Sequence, residues 1–411
     1  MVFVPYVLPG EVVECLVLRE KKSWCEASLL HIIEPSSLRR EPFCPHFGLC
    51  GGCHYQHMPY QHQLALKEAI FRSILHRQAA VSKSRISPII PSLNELEWRS
   101  RAKLALSAGK KEGQSYWGFY KAGSHEVIEI SACPVLKPSL RRLVDPMNSM
   151  AGLIKYAFPR LDGMILEAGL DGRARVVIQP ESIDMGQIKA LEQPFRELEI
   201  PVAIMNSKRG LVYINCFEEL CFYKGPLCEK GLSTLPGTFF QANLQDNENL
   251  VKKVIELCNK AKAGKILELF SGSGNFSIPL SAAGFHVTAV ESEKGSVESA
   301  KKNRDRILSS PERLEIIHSD AVRFFSEVPR KDLFDVVLLD PPRQGAKRLS
   351  RLLAESGIKT VIYVSCDPMT LSRDVRILGQ WGFRVKECIP FDMFPQTFHI
   401  ESVTMLSRRR D

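Results

Sequence analysis

Residues 265–280, KILELFSGSGNFSIPL, combine a short apolar strand, a turn with two glycines and the start of a helix. Gly272 and Gly274 provide the backbone freedom that such a tight turn requires. The next apolar stretch, HVTAVES, contains Glu291, which follows the first glycine by about twenty residues, where a carboxylate can accept hydrogen bonds from ribose hydroxyls. This arrangement predicts a site for an adenosine-type ligand beyond the carboxyl ends of parallel strands.

The third glycine of the dinucleotide-binding pattern is missing, because Ser277 occupies its position. A pyrophosphate needs the close approach that the full G-x-G-x-x-G pattern allows. The local pattern therefore favours S-adenosylmethionine over NAD. Asp320, which follows the third strand-like stretch, could face the adenine of such a ligand. The alternative is an ordinary turn in a parallel sheet that binds no ligand.

The fold class follows from how the apolar segments alternate along the chain. From about residue 250, helix-length segments separate near-continuous apolar strands, which is typical of a buried parallel sheet. Residues 98–240 are rich in strands with turns between them, and residues 1–40 resemble part of a small β-barrel. We therefore predict an α/β protein. Its domains are expected at residues 1–40, 41–236 and 237–411.

The length and the charge of the chain limit the kinds of protein that it can be. The chain has 411 residues and a net charge of +9, and no apolar run approaches the roughly 18 residues that a membrane span needs. The first residues lack the basic start of a signal peptide, so we expect a soluble cytoplasmic protein. Residues 44–142 contain fourteen Lys and Arg against six Asp and Glu. Such a stretch is either a phosphate-binding surface for nucleic acid or a solvated basic face.

Three of the twelve cysteines form a compact motif, CPHFGLCGGC, at Cys44, Cys50 and Cys53. A glycine-rich loop with three thiolates can surround one metal centre, and a tight triplet with a remote fourth cysteine is closer to iron–sulfur than to zinc ligation. Cys133 is the candidate fourth ligand. Three histidines compete with it for that place: His46, His54 and His57.

Two further strands end in residues that carry chemistry. DVVLLD runs into Asp340-Pro-Pro-Arg343, where two prolines stop the strand and leave Asp340 over the ligand crevice. TVIYVS delivers Cys366 to the same sheet edge, where the thiolate would be a nucleophile. Arg343 or Arg373 could stabilise that thiolate. A small buried cysteine is the structural alternative.

The last motif, FDMFPQTFHIESVTML, is a proline turn followed by a strand that contains Glu401. A carboxylate returned to the sheet edge can act as a base. His399 is a rival for this role. A structural His or Glu is the alternative.

Together these motifs resemble the RNA uracil-C5 methyltransferase family, which makes 5-methyluridine in tRNA and ribosomal RNA. The resemblance extends over nearly the whole chain, in family order, and its most specific elements are SCDP-x-T-x-x-RD and Cys-x5-Cys-Gly-Gly-Cys. The iron–sulfur loop is similar to that of the branch that includes the 23S ribosomal RNA enzymes. The bacterial tRNA enzyme lacks this loop.

The resemblance implies a role for each motif. A 4Fe–4S cluster would be held by Cys44, Cys50, Cys53 and Cys133. S-adenosylmethionine would be bound by Gln241, Phe270, Asn275, Glu291, Asp320 and Asp340. Cys366 would be the nucleophile and Glu401 the base. The resemblance also implies a Rossmann-like methyltransferase domain, an OB-like TRAM domain for RNA and, as partner, ribosomal RNA rather than tRNA; we expect a monomer.

The chain departs from the family pattern at two places. It starts at VFVP, where family members usually have two more strands, so the resemblance implies a partial TRAM barrel. Gln396 and Phe398 stand where family members commonly have His and Gly, which changes the surroundings of the base.

Three other functions use the same residues differently. An NAD-dependent iron–sulfur oxidoreductase would use the same crevice, but the incomplete glycine pattern disfavours it. A methylase of exocyclic amines would not need Cys366. An RNA-binding module with a degenerate methylase domain would not need Cys366, Gln241 or Glu401.

Overall fold

The computed structural model describes residues 1–108, 115–206, 210–328 and 333–408. The N-terminal segment forms a three-stranded sheet in the order β1-β3-β2. Its strands are β1 (Val2–Phe3), β2 (Val12–Glu20) and β3 (Cys25–Glu34). Residues 1–40 therefore contain strands, as predicted. The OB-like barrel stays a prediction.

The central region is built on a mixed sheet whose order is β10-β9-β8-β7-β4-β5-β6. All but the first of the helices named below pack their apolar faces on one side of this sheet, and a separate hairpin, β11–β12, follows it. The strands are β4 (Arg101–Ala108), β5 (Ser115–Tyr120), β6 (Val127–Glu129), β7 (Gly163–Ala168), β8 (Ala174–Ile178), β9 (Val202–Asn206), β10 (Gly210–Ile214), β11 (Leu220–Gly225) and β12 (Cys228–Thr234). The helices are α1 (Tyr60–Ala79), α2 (Pro138–Ser149), α3 (Ala151–Ala157) and α4 (Met185–Glu197).

The C-terminal region contains a second large sheet, in the order β15-β14-β13-β16-β17-β19-β18. Its strands are β13 (Lys265–Leu269), β14 (His286–Glu291), β15 (Leu314–His318), β16 (Val336–Leu339), β17 (Thr360–Ser365), β18 (Phe383–Phe391) and β19 (Glu401–Arg408). The helices are α5 (Leu244–Lys260), α6 (Ser277–Ala282), α7 (Lys294–Ile307), α8 (Ala321–Glu327), α9 (Lys347–Glu355) and α10 (Pro368–Gln380). Short 3₁₀ turns lie at Lys83–Arg85 and Pro311–Arg313.

The direction of these strands decides where the site lies. Strands β13 to β17 pair in parallel, so their carboxyl ends meet at one edge of the sheet. Strand β19 runs antiparallel to β17, and the register pairs Ser365 with Ser402. The first residue of β19 therefore lies beside the last residues of β17. The predicted α/β fold with a mostly parallel sheet is confirmed.

Helix α1 packs against the C-terminal sheet although it lies early in the chain. Phe71 and Leu75 share a buried core with Leu267 and Leu378. Isolated bridges then join Ile86 to Cys388 and Ile90 to Phe391. The segment that follows the cysteine motif is consequently tied to the strand that precedes Glu401. The three predicted domain boundaries stay predictions.

Across the described ranges, no helix combines the length and the apolar character that crossing a membrane would require.

Candidate active site

Cys366 occupies the turn between strand β17 and helix α10. The carboxylate of Asp367 caps the helix by accepting a hydrogen bond from the backbone N–H of Thr370 at 2.8 Å. Pro368 fills the first helical position, which suits its fixed φ angle. The sequence Ser-Cys-Asp-Pro thus makes a sharp strand-to-helix turn. It leaves a half-buried thiol at the carboxyl edge of the sheet.

Glu401 reaches the same edge from the opposite direction. It is the first residue of β19 and is only 2% exposed. Its Oε1 atom is buried, and no hydrogen-bond partner for it occurs in the described part of the chain. Burial raises the pKa of this carboxyl well above its usual value, and the nearby Asp340 adds to the effect. A buried carboxyl that has one oxygen without a hydrogen-bond partner and lies beside a thiol is suited to exchange a proton with a substrate held between them.

The charges around Cys366 come from three side chains. Burial, followed by the charges of Glu401 and Asp340, raises the pKa of the Cys366 thiol to about 12, whereas Arg343 lowers it. Arg343 is thus the cation that acts on the thiol. Arg373, the other candidate, is bound to Asp374, with its Nε 2.8 Å from Oδ1.

Asp340 follows β16, as the Asp-Pro-Pro motif predicts. The amide Nε2 of Gln241 donates a hydrogen bond to its Oδ2 at 3.3 Å. Burial raises the pKa of Asp340, and the bond from Gln241 partly offsets this. Gln241 itself is 7% exposed and precedes helix α5. The structure therefore brings Gln241, Asp340, Cys366 and Glu401 to one edge of the sheet.

The glycine-rich turn has the predicted shape. Gly272 and Gly274 have φ angles of +55° and +94°, in the region that favours glycine. The N–H of Gly272 donates to Oε2 of Glu291 at 2.9 Å, and the N–H of Glu293 donates to Oε1 at 2.7 Å. Glu291 is therefore held against the turn. Phe270 enters the turn with a φ angle of 67°.

Asn275 and Asp320 are bound by the protein itself. Asn275 exchanges two side-chain hydrogen bonds with Asn247 of helix α5, at 2.6 and 3.1 Å. Asp320 caps helix α8, where its Oδ1 accepts from the N–H of Arg323 at 2.9 Å. It is exposed after β15, at the same sheet edge as the turn. Asn247 was not predicted, although an Asn within an apolar helical face is the signal that could have identified it.

Glu268 is a second residue that the sequence interpretation missed. It lies inside β13 and is fully buried. Burial raises its pKa well above the usual value, and Asp340 and Glu291 contribute to the shift. A single carboxylate within an otherwise apolar parallel strand was the available signal. Glu268, Asp340 and Glu401 are therefore three carboxyls with raised pKa values near this edge of the sheet.

The cysteine motif and Cys133 line one cavity. Burial raises the pKa of Cys53 to about 12 and that of Cys133 to about 11. Arg99 also lines the cavity and opposes both shifts. Four thiols around one space, with a guanidinium beside them, are suited to an anionic metal–thiolate centre.

The competing histidines are placed differently. His46 lines the cavity, but its Nε2 lies 3.1 Å from Oγ of Ser131. His54 and His57 are not among the residues that line it. Within the described ranges, no three His, Cys, Asp or Glu side chains are close enough to hold a single metal ion. A multi-iron cluster is larger than one ion and sets its ligands further apart.

The comparison with protein families finds a match over residues 232–409, to a family described as tRNA (Uracil-5-)-methyltransferase. These residues include the glycine-rich turn, the Asp-Pro-Pro loop, Cys366 and Glu401. The match therefore covers the whole candidate active site.

Relatives match over almost the whole chain. A protein of Shewanella sediminis named 23S rRNA (uracil(1939)-C(5))-methyltransferase RlmD is 32% identical and is aligned over 98% of this chain and 90% of its own length. A protein of the same name from Shewanella woodyi is 33% identical with the same coverage. The crystal structure of Pyrococcus abyssi tRNA (uracil-54, C5)-methyltransferase in complex with S-adenosyl-L-homocysteine is 26% identical, with a TM-score of 0.70 over 98% of this chain and 95% of that one.

The fold and these matches agree with the class that the sequence motifs predict, a methyltransferase that uses S-adenosylmethionine. The chain belongs to the RNA uracil-C5 methyltransferase family.

Proposed function

We propose that this protein transfers a methyl group from S-adenosylmethionine to C5 of a uridine in 23S ribosomal RNA. The observation that best supports it is the pairing of β17 with β19, which sets Cys366 beside the carboxyl of Glu401, whose Oε1 has no hydrogen-bond partner in the described part of the chain. The choice of ribosomal RNA rests on the relatives named for 23S rRNA, which are 32% and 33% identical. A tRNA uridine is the second candidate, supported by the structure that is 26% identical.

The chemistry explains why a thiol and a carboxyl are needed together. C5 of uracil is a poor nucleophile. Addition of the Cys366 thiolate to C6 forms an S–C6 bond and makes C5 an enolate-like carbon. S-adenosylmethionine would supply the methyl group that C5 accepts and would be left as S-adenosylhomocysteine. Glu401 then removes the C5 proton, and the S–C6 bond breaks to release the thiolate of Cys366.

The charges of the crevice support a cationic methyl donor. S-adenosylmethionine carries a positive sulfonium, and the carboxyls of Glu268, Asp340 and Glu401 lie near this sheet edge with raised pKa values. A positive ligand favours their ionised forms, whereas the pyrophosphate of NAD would add negative charge. The charge of the site therefore disfavours the alternative function, an NAD-dependent iron–sulfur oxidoreductase. We assign the donor site to six residues: Gln241, Phe270, Asn275, Glu291, Asp320 and Asp340.

We also propose that Cys44, Cys50, Cys53 and Cys133 hold a 4Fe–4S cluster. Since burial favours their neutral thiol forms, bound iron would replace the thiol protons. The cluster would join the loop at 44–53 to the segment after β6. Its role is structural, because methyl transfer requires no redox step.

Loss of one ligand tests the cluster. We expect Cys133→Ala, purified without oxygen, to lose most of its iron and acid-labile sulfide and to unfold at a lower temperature. The matched control is Cys216→Ala, another half-buried cysteine outside the cavity, which should keep both. Full iron content in Cys133→Ala would remove Cys133 from the ligand set.

The RNA surface would include the basic stretch at 44–142, and the protein would act as a monomer. Phosphate contacts release counterions, so RNA affinity should fall as salt rises. A flat salt response would contradict this assignment.

The function is tested by methylation of an unmodified 23S rRNA transcript. We expect 5-methyluridine, mapped by mass spectrometry, with the wild-type protein and none with Cys366→Ala, while binding of S-adenosylmethionine is retained. Cys221→Ala, a half-buried cysteine in β11, is the matched control and should remain active. Methylation by Cys366→Ala, or methylation of an exocyclic amine instead of C5, would contradict the proposal.

A further inference from the structure

A solvent-exposed aromatic ring lies close to the candidate active site. Phe398 is 52% exposed and precedes Glu401 by three residues, in the loop between β18 and β19. The centroid of its ring is 4.4 Å from that of His54 and 4.4 Å from that of His399. We call these three rings the aromatic patch.

The patch is held in place by backbone bonds beneath it. The N–H groups of His54 and Tyr55 both donate to the carbonyl oxygen of Gln396, at 2.7 and 3.1 Å. The loop that bears Phe398 is thus fixed to the loop of the cysteine motif. Because about half of the Phe398 ring is exposed to solvent, its packing against the protein removes little of its apolar surface from water. The hydrophobic effect therefore favours a ligand that covers the exposed part of the ring.

The patch lies next to the groups that act on Cys366. Nη2 of Arg343 is 3.4 Å from Nε2 of His399, and the same guanidinium lowers the pKa values of Cys366 and Glu401. Burial, followed by the charge of Arg343, lowers the pKa of His399 to about 4. Its ring is therefore neutral at pH 7, and Arg343 is the exposed positive charge at this place.

We propose that Phe398, flanked by His54 and His399, stacks on an RNA base next to the target uridine. This inference rests on the proposed function. A uridine inside a stacked loop must be turned out before a thiol can reach C6, which leaves its neighbours without a stacking partner. Single-stranded RNA bases commonly stack on Phe and His rings. The target itself would enter the half-buried space at Cys366, whereas Phe398 lies at the surface, where a neighbouring base would be.

Arg343 beside the patch is suited to hold the phosphate of the same nucleotide.

Crosslinking tests the contact directly. The probe is a 23S rRNA fragment centred on uridine 1939, the position named for the relatives, with 5-iodouridine at one flanking position at a time. Light couples iodouridine to an aromatic ring stacked on it, and mass spectrometry identifies the residue. We expect a crosslink to Phe398 from a flanking position and none from positions remote from the target.

Variants supply the second readout. Phe398→Leu should bind the fragment about tenfold more weakly, as expected for one lost stack, and Phe398→Trp should restore binding. Trp381→Leu is the matched control, since Trp381 is also 52% exposed but follows the far end of α10, and it should bind as the wild type does. If the wild type methylates uridine but Phe398 forms no crosslink and its replacement does not change RNA binding, the stacking inference is wrong and the proposed function stands. If the wild type makes no 5-methyluridine, the proposed function fails.

Discussion

Gln63 and Gln396 lie 333 positions apart and exchange two hydrogen bonds. Nε2 of Gln63 donates to Oε1 of Gln396 at 2.8 Å, and the backbone N–H of Gln396 donates to Oε1 of Gln63 at 3.1 Å. Both side chains are fully buried. This pair joins helix α1, which follows the cysteine motif, to the loop that leads into Glu401.

Replacing Gln63 should destabilise this junction. Gln63→Leu removes donors from Gln396 and from the carbonyl oxygens of Tyr55 and Met58. Buried groups left without a partner cost about 1–3 kcal/mol each, so we expect unfolding to become easier by about 2–4 kcal/mol. Urea unfolding measures this. Gln61→Leu, on the exposed face of the same helix, is the control, and equal stability of the two variants would show that the pair contributes nothing.

A buried ion pair joins the same two segments. Nζ of Lys67 lies 2.6 Å from Oδ1 of Asp392 and 3.0 Å from the carbonyl oxygen of Phe394. Lys67→Met leaves a buried carboxylate unpaired, which should cost about 3–5 kcal/mol in thermal or urea unfolding. The double variant Lys67→Met/Asp392→Leu should recover much of this loss.

The control is an exposed pair, Lys121 with Glu126. Lys121→Met should cost less than about 1 kcal/mol, because solvent screens the charges. If the double variant is less stable than Lys67→Met, the unpaired carboxylate of Asp392 is not the cause of the stability lost in Lys67→Met.

Much of the fold could be predicted from periodicity and turn residues. The strand before the glycine turn, the Asp-Pro-Pro stop and the strand ahead of Cys366 were all identified, because continuous apolar runs between helix-length segments have few other solutions. Strand β7 and helices α2 and α3 in the central region were missed. Helix α2 had a signal that was overlooked, because Leu140, Leu143, Val144 and Met147 follow the spacing of one helical face. The structure of β7 is decided by its packing within the mixed sheet.

The individual residues of the site could be predicted from the sequence, but the way the fold brings them together could not. Cys366 and Glu401 stood at strand ends, so their meeting followed from the sheet edge, but the antiparallel return of β19 could not be read from the sequence. The bonds between Gln63 and Gln396 depend on how helix α1 packs on a distant sheet, for which no local pattern exists. The buried Glu268 had a signal that was overlooked.

The reactivity of Cys366 should depend steeply on pH. Since burial holds its pKa near 12, the neutral thiol predominates below that value, and the thiolate fraction rises about tenfold per pH unit. We expect the rate of alkylation by iodoacetamide, followed on the peptide that contains Cys366, to rise throughout pH 7–9 without a plateau. A plateau by pH 8 would mean that the thiol of the free protein is not held neutral.

Arg343 should modulate that rate. Arg343→Gln removes the cation that lowers the pKa of Cys366, so alkylation at a given pH should become slower. Arg351→Gln, an exposed arginine in α9, is the control and should react as the wild type does. Equal rates in both variants would exclude Arg343 from the surroundings of the thiol.

Glu401 should be needed after the methyl group has been transferred. In Glu401→Gln the amide cannot take the C5 proton, so we expect a covalent RNA–protein complex to accumulate on denaturing gels with ordinary RNA and S-adenosylmethionine. Glu327→Gln, an exposed glutamate in α8, is the control and should accumulate none. Normal turnover by Glu401→Gln would assign the base to another group, of which His399 is the nearest candidate in the sequence.

The addition of Cys366 to the pyrimidine ring can be tested with RNA that carries 5-fluorouridine at the target position. After methyl transfer the fluorine on C5 cannot leave as a proton does, so the S–C6 bond cannot be released. We expect a covalent complex whose crosslinked peptide contains Cys366, formed by Cys221→Ala and absent from Cys366→Ala. A complex that forms equally in Cys366→Ala, or that maps to another residue, would contradict the addition of Cys366 to the ring.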